Sequence, residues 1–94
     1  VTAEAIIEKV SNFYNIKISE IKGHRRLKQL VRPRHVAMYL IRSHTNHSFP
    51  EIGRIFGGRD HATVQHACKK IRGLVQTEND IQSAIHTLER NLSV

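Results

Sequence analysis

A chain of 94 residues, 39% hydrophobic and 24% charged, can fill one modest core and is too apolar for a disordered polymer. Its 15 Lys and Arg against 8 Asp and Glu give a formal charge of +7, which points to an anionic partner. Lone Cys68 excludes an internal disulfide and suits a reducing compartment, and no run reaches the roughly 18 apolar residues of a membrane span.

Ile6, Ile7, Val10 and Phe13 form one apolar stripe and predict a helix over 2–14, capped by Thr2, with Glu4 and Glu8 near the positive end of its dipole. A short helical turn around 19–21 follows, ended by Gly23. Residues 22–31 hold the densest basic cluster and no helical stripe, and read as a loop. Pro33 fits the first turn of the next helix, where its missing N–H is no loss. That helix runs to about His44, with Val36, Ala37, Leu40 and Ile41 facing inward. Asn46 and Ser48 are stop and cap signals. Pro50 opens a short helix through Phe56 that buries Ile52, Ile55 and Phe56, and Gly57-Gly58 ends it, since glycines permit left-handed backbone. Asp60 is the N-cap of a helix reaching about Val75. A last helix over 79–92 sets Ile81, Ala84, Ile85, Leu88 and Leu92 on one side.

Two prolines, five glycines and little strand-like alternation make the expected fold an all-α bundle of five to six helices, a single domain over 1–94. Val1 opens an amphipathic pattern, not a signal peptide, and the missing initiator methionine reads as a piece cut from a longer protein, a trace that processing would leave as well.

The charge is unevenly spread. No Asp or Glu lies between Glu20 and Glu51, whereas Lys22, Arg25, Arg26, Lys28, Arg32, Arg34 and Arg42 do, with four histidines among them. A solvated face normally mixes signs, so this stretch describes a local electropositive field, for which nucleic acid is the commonest partner. On charge alone, Arg25, Arg26 and Lys28 read equally as a solvated loop or as a DNA contact.

A short helix, a glycine-containing turn and a longer helix make the helix-turn-helix pattern. At about 100° per residue, Val64, Ala67, Cys68, Ile71, Leu74 and Val75 form the inward stripe of the second helix. Ala62, Gln65, His66 and Lys69 lie opposite, and Thr63 sits on the flank. Small and hydrogen-bonding groups at the N-terminal end, with lysine behind them, suit base edges first and phosphates beyond.

The run Asn46-His47-Ser48-Phe49-Pro50-Glu51-Ile52-Gly53, continued by Gly57-Gly58-Arg59-Asp60-His61-Ala62-Thr63-Val64 and by His66-Ala67-Cys68-Lys69-Lys70-Ile71, closely resembles the signature of the DnaA family of bacterial replication initiators. Upstream Arg32-Pro33-Arg34 extends the likeness, which covers the chain as the C-terminal DNA-binding domain, domain IV. The resemblance implies a Trp-repressor-like helix-turn-helix with a slightly long turn and sequence-specific binding to DnaA boxes at the replication origin. It implies a recognition helix in the major groove, using Arg59, Asp60, His61, Ala62, Thr63 and His66, with Lys69 beyond. An arginine of the upstream loop, Arg26, would enter the minor groove, flanked by Arg25 and Lys28. Arg34, His35, Arg42, Ser48 and Pro50 would match further base- or backbone-contacting positions. Ala62 departs from the family's usual threonine and keeps an apolar contact while losing a hydroxyl; Gln65 and His35 also replace common family residues.

Each of these positions has a plainer role beside it. Asp60 caps a helix first and contacts a base in addition; His61 fills a turn, and Thr63 is β-branched and stiff. Seven histidines invite a metal, yet His61 and His66 diverge by about 140° on a helix, and no second cysteine or His-Glu motif completes a zinc set. Cys68 reads as a small buried apolar group. No P-loop, carboxylate pair or nucleophile beside a base is present, so the expectation is no enzyme and no cofactor, with ATP confined to the ATPase region that the family carries upstream. The rival readings are a basic interaction module for an acidic protein or acidic phospholipid, and a box-indifferent architectural DNA binder. The family also implies a cytoplasmic, nucleoid-associated protein whose isolated domain is a monomer.

Overall fold

The computed structural model describes residues 1–92, and among them it contains six helices and no strand. Helix α1, Ala3–Tyr14, begins where the Thr2 hydroxyl accepts the Ala5 N–H at 3.1 Å. Ile6, Ile7 and Val10 are buried as their spacing requires. Phe13, expected on the same stripe, is 41% exposed instead and meets Tyr14 edge-on with ring centroids 4.9 Å apart. The helix ends one residue later at Asn15, whose left-handed backbone (φ 55°) turns the chain, and Tyr14 is the ring that packs on the core.

Helix α2, Ile18–Lys22, buries Ile21 and stops at Gly23. Helix α3 spans Lys28–His44, so the reading of 22–31 as one loop is corrected: Lys22 closes α2, only 23–27 is irregular, and α3 starts five residues before Pro33. The Leu27 carbonyl accepts the N–H groups of both Leu30 and Val31, and Leu30 drops into the interior, which fixes that first turn. Pro33 therefore sits inside the helix. It offers no N–H to the carbonyl one turn earlier, at exposed Gln29, where water can satisfy the oxygen.

Helix α4, Phe49–Ile55, opens with a capping box: Ser48 Oγ accepts the Glu51 N–H at 3.2 Å while Glu51 Oε1 accepts the Ser48 N–H at 2.7 Å. Helix α5, His61–Thr77, starts from the Asp60 cap, and α6 covers Asn79–Leu92.

Helix α3 is the hub, packed against α1, α2, α4 and α5, and α5 in turn packs on α4 and α6. The core runs through all of these contacts, with Val36, Leu40 and Ile41 of α3 meeting Ile52 and Phe56 around α4 and Val64 and Ile71 of α5. Phe56 is fully buried at the end of α4. A side chain of that size stabilises by about 2–3 kcal/mol when taken out of water, and here it fixes the seat of the turn into α5.

Candidate nucleic-acid interface

The turn between α4 and α5 is built on one carbonyl. Gly53 O accepts the N–H of Gly58 at 3.0 Å and of Arg59 at 2.8 Å. A Cβ on Gly53 would stand 2.1 Å from the Arg59 carbonyl oxygen, so only glycine allows this approach. Gly57 (φ 80°) and Gly58 (φ 83°) take the left-handed conformations that reverse the chain. The close-packed pair α4 and α5, joined through residues 56–60, is the helix-turn-helix expected from the sequence.

Asp60 Oδ1 accepts the Ala62 N–H at 3.3 Å and lies 3.2 Å from His61 Nδ1. The cap thus orders the first turn of α5 and neutralises part of its N-terminal field. Thr63, Gln65, His66 and Lys69 project from the outer side of α5 and, like Asp60 and His61, are exposed, while Ala62 is half-buried.

The loop 23–27 lies against this turn. The imidazole of His24 donates from Nε2 to the Gly57 carbonyl at 2.9 Å; a carbonyl only accepts, so the proton sits on Nε2. From the other side, Arg59 Nη2 donates to the Gly23 carbonyl at 2.6 Å. Burial, and then the charge of nearby Arg26, hold the Arg59 guanidinium below its ordinary pKa. Arg25, Arg26 and Lys28 are all exposed. The structure therefore joins two segments more than thirty residues apart into one edge: exposed Arg25, Arg26 and Lys28 on the loop side, and exposed His61, Thr63, Gln65, His66 and Lys69 on the helix side.

Arg34 does not belong to that edge. Expected at the interface, it is 3% exposed, and its guanidinium donates to three backbone carbonyls, from Nε to Ile21 (2.8 Å), Nη1 to Arg25 (2.9 Å) and Nη2 to Glu20 (2.8 Å). It adds donors to carbonyls at the end of α2, where Glu20 O also accepts the Gly23 N–H at 3.3 Å, and it ties the loop backbone to α3. Arg59 is likewise half-buried and committed to Gly23, with its Nε shut off from water and unpartnered among the described residues. His35 is half-buried on α3. Burial foremost, then the charges of Lys70, Arg34, Arg59 and Arg32, push its pKa down to about 4, so it is neutral at physiological pH and offers a hydrogen bond but no charge.

Arg42, Ser48 and Pro50 cluster where α3 ends and α4 begins. Arg42 Nη1 donates to the His47 carbonyl at 3.1 Å, and its guanidinium covers the Phe49 ring at 4.2 Å. Arg42 and Pro50 are exposed, while half-buried Ser48 uses its hydroxyl as an acceptor in the capping box. No hydrogen bond or ion pair joins this group to the loop and turn among the described residues. Cys68 is buried and its thiol is pushed up to about 11 by that burial, which makes it a packing group.

His24 was not among the residues singled out from the sequence. Nothing local marks it: its partner Gly57 is 33 positions away, and a histidine beside two arginines looks like any member of a basic loop.

The family described as the bacterial DnaA protein helix-turn-helix matches residues 3–71. The chromosomal replication initiator protein DnaA of Ehrlichia ruminantium (strain Gardel) is 51% identical over 92 residues, and that of Ruegeria pomeroyi is 50% identical over 92 residues. Each alignment covers 98% of this chain and 20% of the relative, so the chain spans about a fifth of the length of these proteins. The crystal structure of a DNA replication initiation factor superposes with a TM-score of 0.83 at 31% identity, over 95% of this chain and 27% of that one. The matched module is a helix-turn-helix and not a catalytic unit. On this match and on the turn geometry described above, the chain belongs to the bacterial DnaA helix-turn-helix family.

Proposed function

We propose that this chain is the single DNA-binding domain, over 1–94, that docks a replication initiator on DnaA boxes at a bacterial origin. The observation that carries the reading is the pairing of an exposed basic loop with the N-terminus of an exposed recognition helix across one turn. Side chains from His61 to His66 offer hydrogen-bonding and small apolar groups to base edges in the major groove. Arg26 enters the neighbouring minor groove, where narrow A·T tracts concentrate negative potential. Arg25, Lys28, Arg42 and Lys69 neutralise phosphates and set register without reading sequence. Arg34 and Arg59 act from inside, by holding the loop and the turn. The domain binds one asymmetric site as a monomer in the cytoplasm, at the nucleoid, and any ATP-dependent control comes from other parts of the initiator.

A fluorescence-anisotropy titration against a DnaA-box duplex and a scrambled duplex, at two salt concentrations, tests this. Preference for the box by about a thousandfold, within the usual range of specific binders, supports base readout. Equal affinity for both, lost together as salt rises, overturns it in favour of a purely electrostatic surface for DNA, acidic proteins or acidic phospholipids.

A further inference from the structure

Two bonds cross between the basic loop and the turn, in opposite senses: His24 Nε2 to the Gly57 carbonyl and Arg59 Nη2 to the Gly23 carbonyl. The crossing is tight. A Cβ on Gly57 would meet His24 Nε2 at 2.7 Å and the Lys22 carbonyl at 3.2 Å. Arg34, through the Arg25 carbonyl, fastens the loop to α3 but not to the turn. Among the described residues, His24 is the loop side chain that hydrogen-bonds to the turn.

We propose that His24 is a positioning residue that latches the basic loop to the α4–α5 turn, so that Arg26 and the recognition helix are presented to DNA as one rigid unit. The inference rests on the DNA-binding reading above for its consequence, though not for the latch itself. A loop of five residues that must be ordered on binding loses backbone freedom at that moment. Ordering it beforehand removes that cost from association, and the gain reaches DNA through Arg26. His24 touches no base in this account. Its effect on affinity therefore depends on Arg26 being present.

The test has two arms. In the DNA-free protein, backbone 15N order parameters are measured for wild type, His24→Ala and His24→Gln, the amide Nε2 of glutamine being able to replace the imidazole donor. Residues 24–27 lose order in His24→Ala and recover it in His24→Gln, while α3 and α5 stay unchanged. Unchanged loop order parameters in His24→Ala overturn the latch whatever the DNA arm gives.

On the box duplex, His24→Ala weakens binding about fivefold, the size of one hydrogen bond's net effect, and His24→Gln restores most of it. Combined with Arg26→Ala, the same change costs less than about twofold. Equal losses in both backgrounds overturn positioning and make His24 an independent DNA contact. Should the wild-type protein bind box and scrambled duplex alike, the box reading fails, and the first arm still decides the latch.

Discussion

The Nε of Arg34 donates to the Ile21 carbonyl at 2.8 Å, across the gap between α3 and the end of α2. With the two further bonds from its Nη atoms, this arginine closes a short helix and an irregular loop onto the central helix of the bundle. Such a role accounts for a cation that is 3% exposed without any carboxylate partner in the hydrogen bonds it makes. Carbonyl dipoles, three of them in fork geometry, take the place of a counter-ion.

Replacing Arg34 by Ala strips a donor from each of those carbonyls, although Glu20 O keeps the Gly23 N–H, and is expected to lower stability by about 3–5 kcal/mol, as for breaking one side of a buried charged network. Arg34→Lys recovers less than half of that, because one ammonium cannot span three carbonyls in the plane a guanidinium does. Urea denaturation at pH 7 reads both. A stability within 1 kcal/mol of wild type for Arg34→Ala would contradict the assignment.

Gly53 is where the helix-turn-helix has no room. Gly53→Ala places a methyl group 2.1 Å from the Arg59 carbonyl oxygen, a backbone atom that cannot swing aside. The two N–H bonds that Gly53 O accepts from Gly58 and Arg59 must then lengthen. A loss of about 3 kcal/mol is expected, at the upper end for overpacking, with a fall in Tm of roughly 10–20 °C for a domain of this size. Gly73→Ala, which meets nothing within 4 Å, is the control and leaves Tm unchanged or slightly raised.

Loop and helix are expected to divide their labour on DNA. Arg26→Ala weakens box binding about tenfold and lowers the salt slope by roughly one ion, as for the loss of one cation from the phosphate field. His61→Ala and Thr63→Ala reduce the ratio of box to scrambled affinity by about tenfold and leave the salt slope nearly unchanged. Anisotropy titrations over a salt series measure both quantities. The same fractional loss on both duplexes for all three variants would remove the distinction.

His35 supplies a pH dependence of stability. Its folded pKa of about 4 lies below the ordinary 6.5, so between those values the unfolded chain holds a proton that the folded chain refuses. The unfolded state binds more protons in that window, and stability therefore rises with pH across it and levels off above about 6.5. Acidification from pH 7 to pH 4.5 destabilises the wild type more than a His35→Gln variant. Urea midpoints of the two proteins at the two pH values give that double difference, which cancels the carboxylates they share.

Most helix positions, the glycine turn and the outward side of α5 were legible in the residues alone. Local signals are strong there: Thr2, Ser48 and Asp60 are caps whose bonds lie within three residues, and the stripe Val64, Ala67, Cys68, Ile71 has the helical period that burial requires. The start of α3 was hidden because Pro33 mimics a first-turn proline, whereas the burial of Leu30 accompanies the winding of Lys28–Arg32 into the helix. Tertiary structure alone decided which arginines face solvent. Arg25, Arg26, Arg34 and Arg59 carry the same chemistry in the sequence, but α2 brings carbonyls to Arg34 and the loop brings one to Arg59, leaving Arg25 and Arg26 exposed. A long, flexible cation goes to whichever acceptors the packed backbone puts within its reach, and those acceptors lie 9 to 36 residues away along the chain.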